Sequence, residues 1–232
     1  MDSPRIFHPI TRPVIFYVTD GKALPSERRV GVLENIRRAA MARVDFVQIR
    51  EKDVLAGELL KMAREAVGIA GSPGEPRVIV NDRLDVALAA RASGVHLGEE
   101  SAPAAKVIEW CRAGGAPKEF LVGVSCHSID QARDAEAAGA SYVFFGPVFD
   151  TPAKRSFGPP QGVERLEKAC SAVKIPVIAI GGVSESNAAD CIHAGAAGIA
   201  AIRLIQEAKS GEALASAVEG IHQMSVPREK ML

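Results

Sequence analysis

The stretch Ile175-Pro-Val-Ile-Ala-Ile-Gly-Gly-Val-Ser-Glu-Ser-Asn-Ala-Ala-Asp-Cys-Ile-His-Ala-Gly-Ala-Ala-Gly-Ile-Ala-Ala-Ile-Arg203 decides the fold. Its first part, Ile175–Ile180, is apolar without alternation, as a strand covered on both faces of a parallel sheet should be. Gly181-Gly182 ends that run. The helical pattern Glu185–Ala194 follows, with Ala188, Cys191 and Ile192 at the three- and four-residue spacing of one buried face. A second apolar run, Gly198–Ile202, then ends at Arg203. Strand, crossover helix, strand is the unit of an α/β protein.

Working outward, the same unit recurs along the chain. Strand candidates are Val14–Thr19, Phe46–Ile49, Arg77–Val80, Val95–Leu97, Leu121–Val124 and Tyr142–Phe145. Between them lie helical stretches Arg29–Ala42, Leu55–Ile69, Leu84–Arg91, Ala104–Arg112, Ile129–Ala137 and Val163–Val173, with Leu204–Lys209 and Gly211–Met224 at the end. Gly94, Gly139 and Gly195 stand where helix C-caps are needed, and Ser128-Ile-Asp-Gln131 reads as a capping box. A closed barrel and an open doubly wound sheet both satisfy this order. Eight units in 232 residues, close to the about 250 of a barrel, and no Gly-x-Gly-x-x-Gly after the first strand favour a (β/α)8 TIM barrel. The expected organisation is one domain: an extension over 1–13, the barrel with its C-terminal helix over 14–224, and a tail over 225–232.

Composition narrows the partners. The formal net charge is zero, so nothing global recruits nucleic acid or an acidic membrane, and any affinity for anions is local. No basic-then-apolar leader stands at the N-terminus, and no apolar run approaches the roughly 20 residues that span a bilayer. Cys111, Cys126, Cys170 and Cys191 are scattered and form no Cys-x-x-Cys pair. The expectation is a cytoplasmic protein with free, packed thiols that acts on small phosphorylated molecules. Its oligomeric state stays open.

The strand ends carry the chemistry. Gln48 and Arg50 share a face, with Lys52 just beyond. Two cations and an amide suit a phosphate or diphosphate, although a solvated basic end paired with Glu51 and Asp53 would look the same. Asn81-Asp82 supplies a carboxylate and an amide for Mg2+ bridging phosphate oxygens, or else the N-cap of Leu84–Arg91, the commoner use of such residues. The connection Gly146–Gly162 is long for a strand-to-helix loop and holds Thr151, Lys154 and Ser156, which suits a lid over an anion. Gly181-Gly182, with Ser184 opening a helix, lets backbone amides approach a phosphate, and Arg203 adds a cation unless an acid pairs with it. His127 beside Ser125 is placed to move protons, whereas His96 reads as a hydrogen-bonded core residue, His193 and His222 as structural, and His8 as part of the extension. No spacing resembles a zinc site.

In chain order, Tyr17-Val-Thr-Asp20, Gln48-Ile-Arg-Glu-Lys52, Asn81-Asp82-Arg83, Gly94-Val-His-Leu-Gly98, Gly123-Val-Ser-Cys-His127, Phe145-Gly-Pro-Val-Phe149, Thr151-Pro-Ala-Lys154 and Ala179-Ile-Gly-Gly182 resemble the thiamine phosphate synthase family. The thiazole tautomerases, close relatives, share the barrel and many of these motifs. The resemblance runs from Val14 to Gln206. It implies that a hydroxymethylpyrimidine diphosphate loses pyrophosphate with Mg2+ assistance and that a thiazole phosphate nitrogen captures the pyrimidine. By motif position, Gln48, Arg50, Lys52 and Asn81 would hold the diphosphate substrate, and Asp82 would bind Mg2+. Ser125 and Lys154 would contact pyrophosphate or pyrimidine; Thr151, Gly181, Gly182 and Arg203 would hold the thiazole phosphate. Arg50, Lys52, Ser125 and Lys154 are the residues expected to act in this chemistry, and His127 is the catalytic residue of the tautomerase alternative.

Three positions depart from the family pattern. Ser101 stands where a second metal carboxylate is expected, so Glu100, or Glu99 beside it, is the substitute ligand. Ala153 replaces a threonine, and Arg203 replaces a serine. These departures keep two alternatives in view: a thiazole tautomerase with His127 as acid and base, and a catalytically silent barrel that binds thiamine precursors.

Overall fold

The computed structural model describes residues 11–23, 27–70, 76–151 and 159–226. Eight parallel strands close into a barrel in chain order: β1 (Val14–Val18), β2 (Phe46–Ile49), β3 (Arg77–Asn81), β4 (Gly94–Leu97), β5 (Leu121–Cys126), β6 (Tyr142–Phe145), β7 (Val177–Ile180) and β8 (Gly198–Ala201). The ring closes where β8 pairs with β1, Val14 opposite Gly198. Helices α1 (Arg28–Met41), α2 (Ala56–Ile69), α3 (Leu84–Ala89), α4 (Ala104–Trp110), α5 (Ile129–Ala138), α6 (Gly162–Ala172), α7 (Ala188–His193) and α8 (Arg203–Gln206) follow their strands, and α9 (Gly211–His222) comes last. Among the described residues no helix is long and apolar enough to cross a membrane.

Strand alternation produces two apolar layers. Ile15, Tyr17, Val47, Ile49, Val78, Val80, Val95 and Val143 face outward and pack against the helices. Phe16, Val18, Phe46, Ile79, Leu121, Tyr142, Phe144 and Ile178 face inward and fill the interior. Phe16 stacks on Phe46 at 4.3 Å between ring centroids and meets Phe144 edge-on at 5.1 Å, so an aromatic plug blocks the barrel lumen.

Helix starts follow local hydrogen-bond chemistry. The Gln131 N–H donates to Ser128 Oγ, the expected cap of α5, while Gln131 Oε1 accepts from the His127 N–H. Helix α7 begins at Ala188, three residues after the expected start, so Ser184 does not open it. The Ser184 N–H donates to Asn187 Oδ1 and Asn187 Nδ2 donates to Gly182 O, holding 182–187 as a side-chain-braced turn. The capping reading of Asn81-Asp82 is also corrected. Arg83 occupies the N-cap position of α3 without a side-chain bond, and Asn81 belongs to β3.

Gly94 caps no helix; it opens β4, and a Cβ there would lie 2.4 Å from the Leu121 carbonyl oxygen. The opposite end of the barrel is tied by Asp45, which accepts from the Ile15 N–H at 2.8 Å and from Arg12 at 2.7 Å, and pairs with His222 of α9 at 3.0 Å. Val226, counted from sequence with the tail, is buried with the inward-facing cluster, so the barrel's packing extends past α9. The rest of the expected extension and tail, 1–10 and 227–232, lies outside the described residues.

Because the atom opposite Gly94 is backbone, little can give. Gly94→Ala is expected to destabilise the barrel by about 1–3 kcal/mol, measured by urea unfolding; an unchanged midpoint would contradict the close-approach account.

Candidate active site

All eight strands point their C-terminal ends to one rim, and a cavity of about 820 Å3 opens there. Val18, Phe144, Ile180 and Ala200 form its apolar lower walls just above the aromatic plug. Its upper lining is mostly polar and comes from the ends of all eight strands and the loops that follow them. This is where (β/α)8 enzymes carry their chemistry.

Gln48, Arg50 and Lys52 all line the cavity, as alternation from β2 requires. Gln48 is buried, and its Nε2 donates to Asn81 Oδ1 at 3.0 Å. The alternative of a basic end neutralised by its neighbours is not what the chain does. Glu51 faces Arg28 instead, and Asp53 pairs with Lys22 and Arg28. Arg50 has no ion-pair partner among the described residues, and Lys52 reaches only the exposed Glu100, at 3.9 Å. Two cations at a partly apolar cavity therefore remain available to an anion.

Asp82 has φ of +65°, a left-handed conformation that strains a residue with a Cβ. The His96 carbonyl fixes it there by accepting the Asp82 N–H at 2.8 Å. Its carboxylate lines the cavity and has no hydrogen-bond or ion-pair partner among the described residues. Glu99 and Glu100 lie across the same mouth, while Ser101 is engaged locally, its Oγ accepting from the Gly98 N–H at 2.8 Å. No group of three or more acidic, His or Cys side chains gathers as a metal cage among the described residues. A sparse set of oxygen donors is the pattern Mg2+ uses, since it keeps waters and takes one or two carboxylates plus substrate phosphates. Asp82 and Glu100 are two carboxylates on the lining of this cavity.

His96 is both a buried core residue and part of the cavity wall. Its Nε2 meets Ser125 Oγ at 2.9 Å and its Nδ1 meets the Tyr142 hydroxyl at 3.2 Å. Burial, with the Arg50 charge adding to it, pushes the His96 pKa down to about 3. His96 is therefore a neutral hydrogen-bonding spacer beneath Ser125. His127 lies higher. Its Nδ1 donates to the Gly146 carbonyl, which leaves Nε2 toward Glu99 Oε1 at 4.0 Å. Cys126 points away from the cavity into the outer core, and burial pushes its thiol up to about 12.

The far wall holds Thr151, Gly181, Gly182 and Arg203. Gly181 and Gly182 have φ of +92° and +68°, which lets the chain turn sharply after β7. Arg203 opens α8 and has no acidic partner among the described residues, so a neighbouring carboxylate does not account for it. Lys154 and Ser156, with Ala153, lie outside the described residues, as does the central part of the expected lid. Sequence reasoning missed three features: the aromatic floor at Phe144, the His96–Tyr142 contact under Ser125, and the placement of Glu51. Only the last had a signal, an acid set between two cations.

Residues 15–205 match the family model described as thiamine monophosphate synthase. The chain belongs to this family. It is 37% identical over 208 residues to the thiamine-phosphate synthase of Roseiflexus sp. RS-1, covering 90% of this chain and 84% of that one. To the thiamine-phosphate synthase of Methanocella arvoryzae it is 41% identical over 172 residues, covering 74% and 78% of the two chains. The solved thiamine phosphate pyrophosphorylase from Pyrococcus furiosus superposes with a TM-score of 0.76 at 30% identity, covering 91% of this chain and 98% of that one. The family's barrel is thus present over nearly the whole length of both molecules.

Burial likewise pushes the Cys191 thiol up to about 12. At about pH 8, near the ordinary thiol range, a thiol reagent is expected to leave Cys126 and Cys191 unmodified in the folded protein and to reach them after denaturation. Rapid native labelling of Cys126, read by peptide mass, would place its thiol in the site instead.

Proposed function

We infer that this chain is a thiamine-phosphate synthase, joining a hydroxymethylpyrimidine diphosphate to a thiazole phosphate with release of pyrophosphate. The observation that carries the reading is the convergence of Gln48, Arg50, Lys52, Asn81 and Asp82 on one cavity, beside family membership over residues 15–205.

Arg50 and Lys52 would take the diphosphate, the first as a fork and the second as a point charge. The Gln48–Asn81 amide pair would orient the pyrimidine end, each amide being held by the other. Asp82 and Glu100 are the residues proposed to hold Mg2+, with Glu99 as the neighbouring candidate. When bound, that ion supplies neutralisation of charge on the departing diphosphate. Ser125, seated on neutral His96, would offer its hydroxyl to the same group. Lys154 would add a further cation. Thr151, Gly181, Gly182 and Arg203 would hold the phosphate of the thiazole on the far wall, which keeps the two substrates on opposite sides of the cavity. No covalent nucleophile is required. The work assigned to the residues is charge stabilisation, exclusion of water and orientation. Localisation in the cytoplasm is part of this proposal.

The deciding assay is pyrophosphate release with both substrates, with and without Mg2+. Release that needs both substrates and the metal is expected; none with both present would overturn the reading. Asp82→Asn is expected to lower Mg2+-dependent turnover by roughly 100-fold or more while the protein stays folded, and full activity would remove Asp82 from the metal site. His127→Ala is expected to retain pyrophosphate release within severalfold. A loss of about 100-fold, the size of a missing general acid or base, would move the assignment to proton transfer on a thiazole carboxylate phosphate.

A further inference from the structure

Among the described residues Glu51 is the one cavity-lining acid that is almost wholly buried, its side chain 2% exposed. It sits between the two cations Arg50 and Lys52 but pairs with neither. Its carboxylate turns to the end of β1, where Oε1 accepts the Thr19 hydroxyl at 2.7 Å. Both its oxygens also face the Gly21 N–H, at 3.0 and 3.1 Å, and Arg28 Nε lies 3.8 Å away. A Cβ at Gly21 would lie 2.4 Å from Arg28 Cγ and 2.7 Å from Glu51 Oε2, so the space beside this turn is filled by those two side chains.

Thr19 completes the chain of contacts. The regular β1–β2 ladder ends with Val18 opposite Gln48, and one further bond runs from the Thr19 N–H to Gln48 O at 2.9 Å. The next amide, that of Arg50, has passed the end of the ladder and donates to Thr19 Oγ at 2.9 Å. An ionised carboxylate only accepts, so Glu51 commits the Thr19 proton and leaves a Thr19 lone pair for the Arg50 N–H. On its other side the Glu51 carbonyl accepts the Val54 N–H at 3.3 Å, closing the turn that carries Lys52.

We propose that Glu51 and Thr19 form a positioning pair that anchors the backbone of Arg50 and the Lys52 turn, aiming both cations at the diphosphate. This rests on the reading of Arg50 as a diphosphate contact. Burial raises the Glu51 pKa, while the Thr19 hydroxyl, the Gly21 amide and Arg28 lower it and Asp20 raises it further. Tyr17 also faces this acid, and Asp53 and Lys22 meet it only through Arg28. A raised carboxyl pKa means that the stability tied to the group is complete below the ordinary carboxylate range. That stability is lost as pH rises through the folded-state value.

The test measures binding of inorganic pyrophosphate with Mg2+ by calorimetry, beside kcat and the KM for thiazole phosphate, in wild type and four variants. Arg50→Ala should lose pyrophosphate binding. Thr19→Val, which keeps shape and removes the hydroxyl, and Glu51→Gln, whose NH2 meets the Gly21 N–H, should each weaken it by about 10-fold, the order of one lost charge-assisted contact. In both, the KM for thiazole phosphate should stay within about twofold, which a general loosening of the barrel would not spare. Thr19→Ser, which restores the hydroxyl, should recover wild-type affinity. Wild-type binding in both Thr19→Val and Glu51→Gln, with Arg50→Ala inactive, would overturn the positioning role alone. Weakening matched by an equal rise in the KM for thiazole phosphate in both variants would also overturn it, in favour of packing. Wild-type binding in Arg50→Ala would instead sink the reading of Arg50, and the positioning pair with it.

Discussion

Closure of the sheet is the constraint on which everything else in this molecule depends. Once β8 pairs with β1, every strand is hydrogen-bonded on both sides and every strand points the same way. Inward and outward side chains are then fixed by alternation alone. At the lower levels the inward positions are Phe16, Phe46, Ile79, Leu121, Tyr142 and Ile178, which fill the lumen. One level higher, the same strands bring Gln48, Asn81, His96 and Ser125 to a common cavity. Polar groups at that depth need partners, and they take one another: Gln48 with Asn81, and His96 with Ser125 and Tyr142. The network that satisfies burial also pre-orients the site.

Two groups at this rim cost the fold something. Asp82 is held in a left-handed backbone conformation, and Glu51 keeps a carboxylate in a dry setting. In each case hydrogen bonds from a neighbouring strand or turn hold the residue in place, His96 O for the first, Thr19 and Gly21 for the second. Strain and buried charge therefore collect at the mouth of the barrel, where the cations Arg50, Lys52 and Arg203 also stand. The opposite end shows a different economy. There Asp45 ties Arg12, the start of β1 and His222 together, and its work is to close the barrel and dock α9.

Much of this was legible in the chain. Continuous apolar runs such as Val177–Ile180, separated by amphipathic stretches, required a parallel sheet covered by helices, and eight repeats required closure. Alternation put Gln48 and Arg50 on one face, and strand-end position put Asn81, Asp82, Ser125 and Arg203 near the same mouth. Where local reading went astray, a longer-range contact had won. Gly94 looked like a helix cap but answers to the Leu121 backbone on the next strand, and Ser184 looked like a helix start but is braced by Asn187. Asn81-Asp82 looked like a cap because capping is a local property; its actual surroundings are β2 and β4.

The order of residues alone sets the element order, the barrel, the in-and-out pattern of each strand and the set of polar residues that strand ends deliver to one rim. Those follow from periodicity, which acts over a few neighbouring residues. Which of those residues are free to meet a ligand, and which are spent on one another, is settled once the barrel closes and brings distant strands together. Among the described residues Arg50 has no ion-pair partner because Glu51 turns to Thr19 and Gly21 after β1, and His96 is neutral because the closed barrel buries it beside Arg50. Charge and hydrogen-bond partnership are settled by distance in space, and distance in space is what a linear pattern does not contain.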